Sequence, residues 1–400
     1  MLTLDKIYHA SYVLRDIARK TDIIAAPTLV PGMDLHLKTE NLQVTGSFKL
    51  RGASYMISKL SDEQKAAGII TCSAGNHAQG VAMAATKAGV HAIVCMPDGA
   101  PIMKVENTRR LGAEVRLVPG TYDDAHDYAE KVAAETGATF VHPYDDEDVI
   151  AGQGTIGLEI LDQLSDVDAV VVPVGGGGLI SGVACAIKNL NPHVKVYGVQ
   201  ADGAASMVGA VLAGQWQTLD HVATFADGIA VKTPGTITYD MVNQYVDQIV
   251  TVTDDEIAAA ILALLERQKV VAEGAGAVSV AACMFGKLPL EGQRVVAVVS
   301  GGNIDVNILS RVITRGLVMS GRNAELSIAL TDKPGQLELV SSLIAKCGAN
   351  VVSVDYDRFD PSLPISDCIL RVGLETRDRA QIELIKTALT EHGLSVVAER

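Results

Sequence analysis

The chain has 400 residues, of which 48% are hydrophobic, 20% charged and only 4% aromatic. That length exceeds one hydrophobic core, so two or three domains are expected, and the shortage of aromatics favours Ala, Val, Ile and Leu packed in α/β layers over an aromatic-rich sandwich. The net charge of −14 argues against a nucleic acid or an anionic membrane as partner, because both call for a positive surface.

The first residues, MLTLDKIYHASYVL, carry no basic segment followed by a continuous apolar run, so no signal peptide is expected. No apolar stretch approaches the ~20 residues of a membrane span. Six cysteines, at 72, 95, 185, 283, 347 and 368, show no paired spacing and read as reduced thiols of a cytoplasmic protein. Without an HExxH or CxxC pattern, no metal site is expected.

The segment TGSFKLRGA, residues 45–53, places Lys49 between a phenylalanine and a leucine. Surface lysines sit among other charges, and a lysine in apolar company is one whose amine burial can deprotonate. From residue 68 short apolar runs alternate with helical stretches. GIITCS reads as a strand, NHAQGVAMAATKAG as a helix closed by glycine, HAIVCMP as a strand, IMKVENTRRLG as a helix, AEVRLVP as a strand, DDAHDYAEKVAAETG as a helix and FVHPY as a strand. The alternation resumes with DAVVVPV, LISGVACAIKNL and VKVYGVQ, and returns at RVVAVVS near residue 300. Such alternation means parallel βαβ units, and right-handed crossovers give open, doubly wound sheets.

After the hydrophilic turn SGRN at 320–323 the pattern changes. AELSIALT alternates, with Leu326, Ile328 and Leu330 on one face. The following helix puts Leu337, Val340, Ile344 and Cys347 on one stripe. Two alternating strands, NVVSVDYDR and CILRVGLE, the helix DRAQIELIKTALTEHG and a closing strand LSVVAE complete a βαββαβ α+β module over 324–400.

Between the strand and helix of VVVPVGGGGLISG, residues 170–182, stand four consecutive glycines. Glycines there let backbone N–H groups converge on an anion at a helix N-terminus. The dinucleotide fingerprint GxGxxG fails, since from Gly175 its last position is Ile180 and from Gly176 it is Ser181. The nucleotide-binding GxxxxGK[ST] fails because no lysine follows Gly182. One phosphate needs only one such nest. A monophosphate, a buried lysine and a doubly wound fold together suggest pyridoxal 5′-phosphate.

TGSFKLRGA, SAGNHAQG and the tetraglycine loop, in that order, resemble the fold-type II pyridoxal-phosphate enzymes, and among them most closely the threonine/serine ammonia-lyases (threonine dehydratases). The resemblance covers roughly residues 5–318, and SIALTDKPGQLELV resembles an ACT regulatory domain. It implies an α/β catalytic domain over 1–319, with a small lobe at roughly 45–150 and the remainder as a large lobe, followed by the module over 324–400. It also implies that Lys49 forms the Schiff base with the cofactor and removes the α-proton of L-threonine, water being eliminated to give 2-oxobutanoate and ammonia. L-Serine would react more weakly.

By the same resemblance, Phe48 packs beside the pyridine ring and Asn76 bonds the ring oxygen. Gly175, Gly176, Gly177, Gly178 and Leu179 hold the phosphate. Gly228 lies along the ring and Ser300 faces its nitrogen. Ser73, Ala74, Gly75, Asn76 and His77 receive the substrate carboxylate, with Ser73 also assigned to catalysis, and Glu273 lies near the site. Ala74 stands where related racemases carry a serine, and Gln200 where some relatives carry an acidic cation ligand. Asp332, Pro334, Gly335, Leu337 and Asn350 are the expected effector contacts. Isoleucine with valine as antagonist, or an adenine nucleotide, is the implied effector, and a homodimer or homotetramer the implied assembly.

Overall fold

The structure is a computed structural model that describes residues 2–358 and 364–399. Two compact units are present, Met1–Asp305 and Val306–Arg400. The division falls ahead of the SGRN turn, because the helix Val306–Met319 packs against the strand Asn323–Thr331 and so belongs with the C-terminal unit.

The first unit holds two sheets. In the smaller sheet the strands run in the order Glu114–Val118, Ala92–Pro97, Ile69–Cys72, Thr139–Phe140, all parallel. Its two central strands, Ala92–Pro97 and Ile69–Cys72, read as nearly continuous apolar runs because both faces are covered. Ile70, Cys72, Ile93 and Cys95 pack against Ala125, Ala129 and Val132 of the helix Tyr122–Thr136. Ile69, Val94 and Met96 pack on the other side, with Leu50, Ala53, Ala78, Val81 and Ala82 of the helices Lys49–Ser58 and Asn76–Ala88. The run FVHPY contributes less strand than its composition predicts. Pairing stops at Phe140, and two residues after Val141 comes Pro143, which has no N–H for a ladder.

The larger sheet has the order Ile23–Ala25, Asp34–Lys38, Arg294–Val298, Ala169–Pro173, Lys195–Ala201, Gln248–Val252, parallel except for the antiparallel first strand. The helix Gly274–Met284 lies across four of these strands.

Strand order positions the site. In the small sheet the chain moves outward from Ile69–Cys72 in one direction and then returns to its other side with Thr139–Phe140. In the large sheet it moves outward from Ala169–Pro173 and returns with Arg294–Val298. Each reversal leaves a crevice at the carboxyl ends of two strands, where open α/β sheets hold ligands. The four segments that leave those strand ends carry Ser73–His77, His142–Tyr144, Gly175–Gly178 and Ser300.

In the C-terminal unit the strands stand in the order Asn350–Asp357, Asp367–Glu375, Asn323–Thr331, Ser395–Glu399, all antiparallel. Leu326, Ile328 and Leu330 are buried against Val340, Leu343 and Ile344 of the helix Gln336–Lys346 and Ile382, Ile385 and Leu389 of the helix Arg379–Glu391. One member of the expected stripe departs from it: Leu337, in the first turn, is 40% exposed, and Leu343 takes the buried place. All six cysteines are free thiols. Among the described residues no helix is long and apolar enough to cross a membrane.

Candidate active site

The two crevices open into one cavity of about 940 Å³. Phe48, Lys49, Ser73, Ala74, Gly75, Asn76, His77, the four glycines, Leu179, Gly228 and Ser300 all line it, so every catalytic, cofactor and substrate residue expected from the sequence faces the same space.

Lys49 opens the helix Lys49–Ser58, and its Nζ donates to the Pro143 carbonyl at 2.7 Å and lies 5.3 Å from the Phe48 ring centre. Burial lowers its amine to about 8, against the pull of the Glu273 carboxylate. At pH 7 about a tenth of such an amine is neutral, against roughly one in several thousand for an ordinary lysine. The chain is anchored just behind it. Ser47 bridges to Gly301, and the Phe48 N–H donates to the Ser300 carbonyl at 3.1 Å.

Across the cavity, the helix Gly178–Leu190 begins at Gly177, whose φ of 100° is a left-handed value that favours glycine. Neighbouring Gly176 lies under the Tyr144 ring, where an added Cβ would come within 2.4 Å of a ring carbon. The Tyr144 hydroxyl donates to the Thr233 carbonyl at 3.0 Å, which fixes the ring as a wall of the cradle. No side chain caps this helix, so its first N–H groups face the cavity side with the positive end of the helix dipole. The donor set suits a monophosphate.

The loop Ser73–His77 begins a second helix in the same way: Gly75 is its N-cap, without a side-chain hydrogen bond, and the Ser73 hydroxyl accepts from the Gly75 N–H at 3.2 Å. His77 is 3% exposed and its Nε2 donates to the Val141 carbonyl at 3.0 Å. Burial, reinforced by the Lys49 charge, drives its ring down to about 3, so it is neutral at physiological pH. Its side chain therefore ties the helix start to the strand end beside it. Ser300 is buried, with its hydroxyl 3.3 Å from the Ala275 carbonyl. Gly228 stands over the pair Glu273 and Asn76, 3.5 and 3.9 Å from where its Cβ would be.

Several cavity residues were outside the expected set. His142 accepts the Asp145 and Tyr144 N–H groups on Nδ1, at 2.8 and 3.3 Å, and burial lowers it to about 4. Two ion pairs join the small-lobe rim to the 227–232 loop, Lys104 with Asp227 and Lys232 with Asp123. Asn303 donates to Asn76 at 2.8 Å. Its signal was present three residues beyond Ser300, in the same VVSGGN motif. Gln200, in the place of the acidic ligand, donates to the Gly175 carbonyl at 3.4 Å and accepts from the Val208 N–H at 2.9 Å, so a neutral amide braces the start of the glycine loop.

Glu273 is 5% exposed, and burial together with the Asp227 charge raises its carboxyl to about 7, although the Asn76 amide donates to it at 2.5 Å. A folded-state value raised above the unfolded one means the folded chain holds the proton more tightly. The stabilisation is complete below the ordinary carboxylate range near 4.5 and is lost as pH rises through about 7. Relative to Glu273→Gln, which cannot ionise, the wild-type protein is expected to lose on the order of 3 kcal/mol between pH 4.5 and 8. Parallel denaturant titrations of the two proteins check this, and parallel pH profiles would contradict it.

The effector residues do not converge within one chain. Asp332 pairs with Arg358 at 3.0 Å, and Gly335, with φ of 93°, caps the following helix. Asn350 instead bonds Glu375 at 3.1 Å, opposite Asn323, at the other end of a nine-residue strand.

Two doubly wound sheets meeting at their switch points, with a deprotonatable lysine opposite a glycine cradle for a phosphate, define an enzyme that works through a phosphorylated carbonyl cofactor. The chain belongs to the pyridoxal-phosphate dependent enzyme family, which matches residues 14–301. The L-threonine ammonia-lyase of Thermotoga maritima is 48% identical over 398 residues, 99% of each chain. Among solved structures, the processed threonine deaminase isoform 2 of Solanum lycopersicum is 39% identical, covering 78% of this chain and 88% of its own, with a TM-score of 0.73. Maize serine racemase is 34% identical, covering 80% and 98%, with a TM-score of 0.74.

Proposed function

We propose that this protein converts L-threonine to 2-oxobutanoate and ammonia by α,β-elimination of water, and L-serine to pyruvate more slowly. The observation that carries the reading is Lys49: a half-buried amine lowered to about 8, in one cavity with the glycine cradle and the Ser73–His77 loop.

Bound pyridoxal phosphate supplies the electron sink for charge at the substrate α-carbon. Lys49 holds the cofactor and, once its amine is free and neutral, takes the α-proton. Gly175–Leu179 would hold the phosphate, Phe48 and Gly228 would lie along the ring, and the N–H groups of 73–77 with the Ser73 hydroxyl would receive the substrate carboxylate. Ser300 would offer the ring nitrogen only a neutral hydrogen bond. A carboxylate there would keep the ring cationic and deepen the sink, whereas a hydroxyl favours prompt loss of the β-hydroxyl. The methyl of Ala74 cannot carry a proton to the opposite face, which disfavours racemisation. Threonine exceeds serine by one methyl, worth about 1–3 kcal/mol of discrimination, so both react.

The C-terminal βαββαβ unit is proposed to be an ACT domain that binds a small effector, isoleucine or valine or an adenine nucleotide, between paired copies in a homodimer or homotetramer. With the effector set split between two ends of the sheet, a second copy is the natural source of the missing half. Asp332, Gly335 and Leu337 would face the Asn350 of a partner. A chain ending at Met319 is expected to keep turnover and lose the effector response, and an unchanged response would place the effector elsewhere. The absence of paired cysteine spacing supports a cytoplasmic location.

The test of the reaction is turnover of L-threonine, L-serine and, for β-replacement, O-acetylserine with sulfide. Threonine turnover fastest, with no replacement product, is the expected outcome. Replacement without 2-oxo acid would overturn the reading.

A further inference from the structure

Asn303 lies in the wall of the cavity, and its amide makes three close approaches. Its Nδ2 donates to the Thr45 carbonyl at 2.8 Å and to Asn76 Oδ1 at 2.8 Å. Its Oδ1 lies 2.3 Å from where a Cβ on Gly46 would stand, so the side chain packs against the backbone of the lysine segment at a residue with φ of 74°.

The direction of every amide in this chain follows from Thr45. A carbonyl oxygen can only accept, so the nitrogen end of Asn303 must face it. The same nitrogen faces Asn76, so Asn76 must present its oxygen there. The nitrogen of Asn76 is then turned to Glu273 Oε1, which accepts at 2.5 Å. One N–H of Asn76 is used in that bond, and the second remains for a ligand in the cavity that Asn76 lines. Were Asn76 to flip, its oxygen would face Glu273 and its nitrogen would face the donors of Asn303.

We propose that Asn303 is a positioning residue which, keyed to the Thr45 carbonyl, holds the Asn76 amide with its donor side toward the cavity, so that it can donate to a ring oxygen anion of the bound cofactor. The arrangement also couples the lysine segment to Asn76, since Thr45 and Lys49 lie on one short stretch held to 300–303 by the Ser47–Gly301 bridge and by the Gly302 N–H donating to the Gly46 carbonyl at 2.9 Å. Glu273 can then gain or lose a proton on Oε2 without turning Asn76, because Asn303 fixes the other end of the amide. This inference rests on the pyridoxal-phosphate reading of the site.

The experiment titrates protein stripped of cofactor with pyridoxal phosphate, following the visible absorbance, and then titrates the bound cofactor with pH. It uses the wild type, Asn303→Ala, Asn303→Asp, Asn76→Ala and the double variant Asn76→Ala/Asn303→Ala. Asn303→Asp keeps the shape but puts a carboxylate against two acceptors, and it decides the matter if Asn303→Ala does not fold. Either change is expected to weaken cofactor binding about tenfold and to displace the pH midpoint of the absorbance. In the Asn76→Ala background, Asn303→Ala should add nothing further, because a residue that acts through another is non-additive with it. An unchanged midpoint and affinity in a folded Asn303 variant would overturn the proposal. So would full additivity in the double variant, which would reduce Asn303 to a brace for Gly46. A wild-type protein that binds no pyridoxal phosphate would instead overturn the cofactor reading, and this inference with it.

Discussion

Lys49→Ala is expected to fold, to hold pyridoxal phosphate without a covalent link, and to lose threonine turnover by several orders of magnitude. The fold should survive because the amine makes one hydrogen bond, to the Pro143 carbonyl, and its burial is a cost to stability. With the amine lowered to about 8 and an ordinary lysine near 10.5, the charged form is disfavoured in the folded chain, so below pH 8 removal of the group relieves strain on folding. Activity has no such reserve. The two cavity histidines nearest the lysine segment are poorly suited to replace it: His77 is neutral and tied to Val141, and His142 accepts two backbone N–H groups on the nitrogen that would act as a base. The comparison is of initial rates with saturating threonine and added cofactor. Turnover within tenfold of the wild type would place the reaction on another residue.

Arg51→Ala should cost about 3–5 kcal/mol of stability, the largest effect expected away from the cavity. Arg51 belongs to the same TGSFKLRGA segment but points the other way, 1% exposed. Its guanidinium meets Glu40 through Nε and Nη2 at 2.9 and 2.8 Å, and Glu159 through Nη1 and Nη2 at 2.6 and 2.9 Å. Lys38, itself fully buried, completes the group with a 2.6 Å bond to Glu159, so two cations face two carboxylates. Burial pushes the Glu40 carboxyl up, yet the Arg51 charge and hydrogen bonds outweigh it and hold it below the ordinary value. Removing the arginine leaves two acidic groups facing one lysine out of water. Arg51→Lys is no remedy, since one ammonium cannot bridge two carboxylates in fork geometry. Chemical denaturation in the apoprotein measures the loss, and a value under about 1 kcal/mol would mean the network is not what anchors this helix.

The central parallel strands were legible in the sequence because burial on both faces writes them as unbroken apolar runs, as in GIITC and AVVVP, whereas Asp34–Lys38, also parallel, was not. The glycine loop was legible because its departure from GxGxxG is itself informative. The helix Glu147–Gln163 was not, because Gly152, Gly154 and Gly157 read as interruptions. Those glycines let the helix lie backbone to backbone against its neighbours. A Cβ on Gly152 would stand 2.6 Å from the Arg51 carbonyl, and one on Gly154 2.9 Å from that of Gly182. Propensity counts them as helix breakers, and packing makes them necessary. The strand Gln248–Val252 was missed for a different reason. It is an edge strand with partial burial, and its polar ends mask the run. In the site, motif residues were expected through resemblance, and Asn303 was within reach of the VVSGGN motif, whereas Tyr144 and His142 owe their places to the chain reversal that brings their strand end beside the lysine segment. No local pattern records such a meeting. Arg51 shows the converse, a motif residue whose work is to hold the helix that presents Lys49.

The most direct measurement is an absorbance spectrum of the purified protein with pyridoxal phosphate, before and after L-threonine, with 2-oxobutanoate assayed in the same cuvette. A band near the visible edge that shifts on adding threonine and is accompanied by 2-oxobutanoate is the predicted result. A protein that shows no such band with added cofactor, or that keeps the band unchanged and forms no oxo acid, would contradict the assignment of Lys49 and its cavity to threonine deamination.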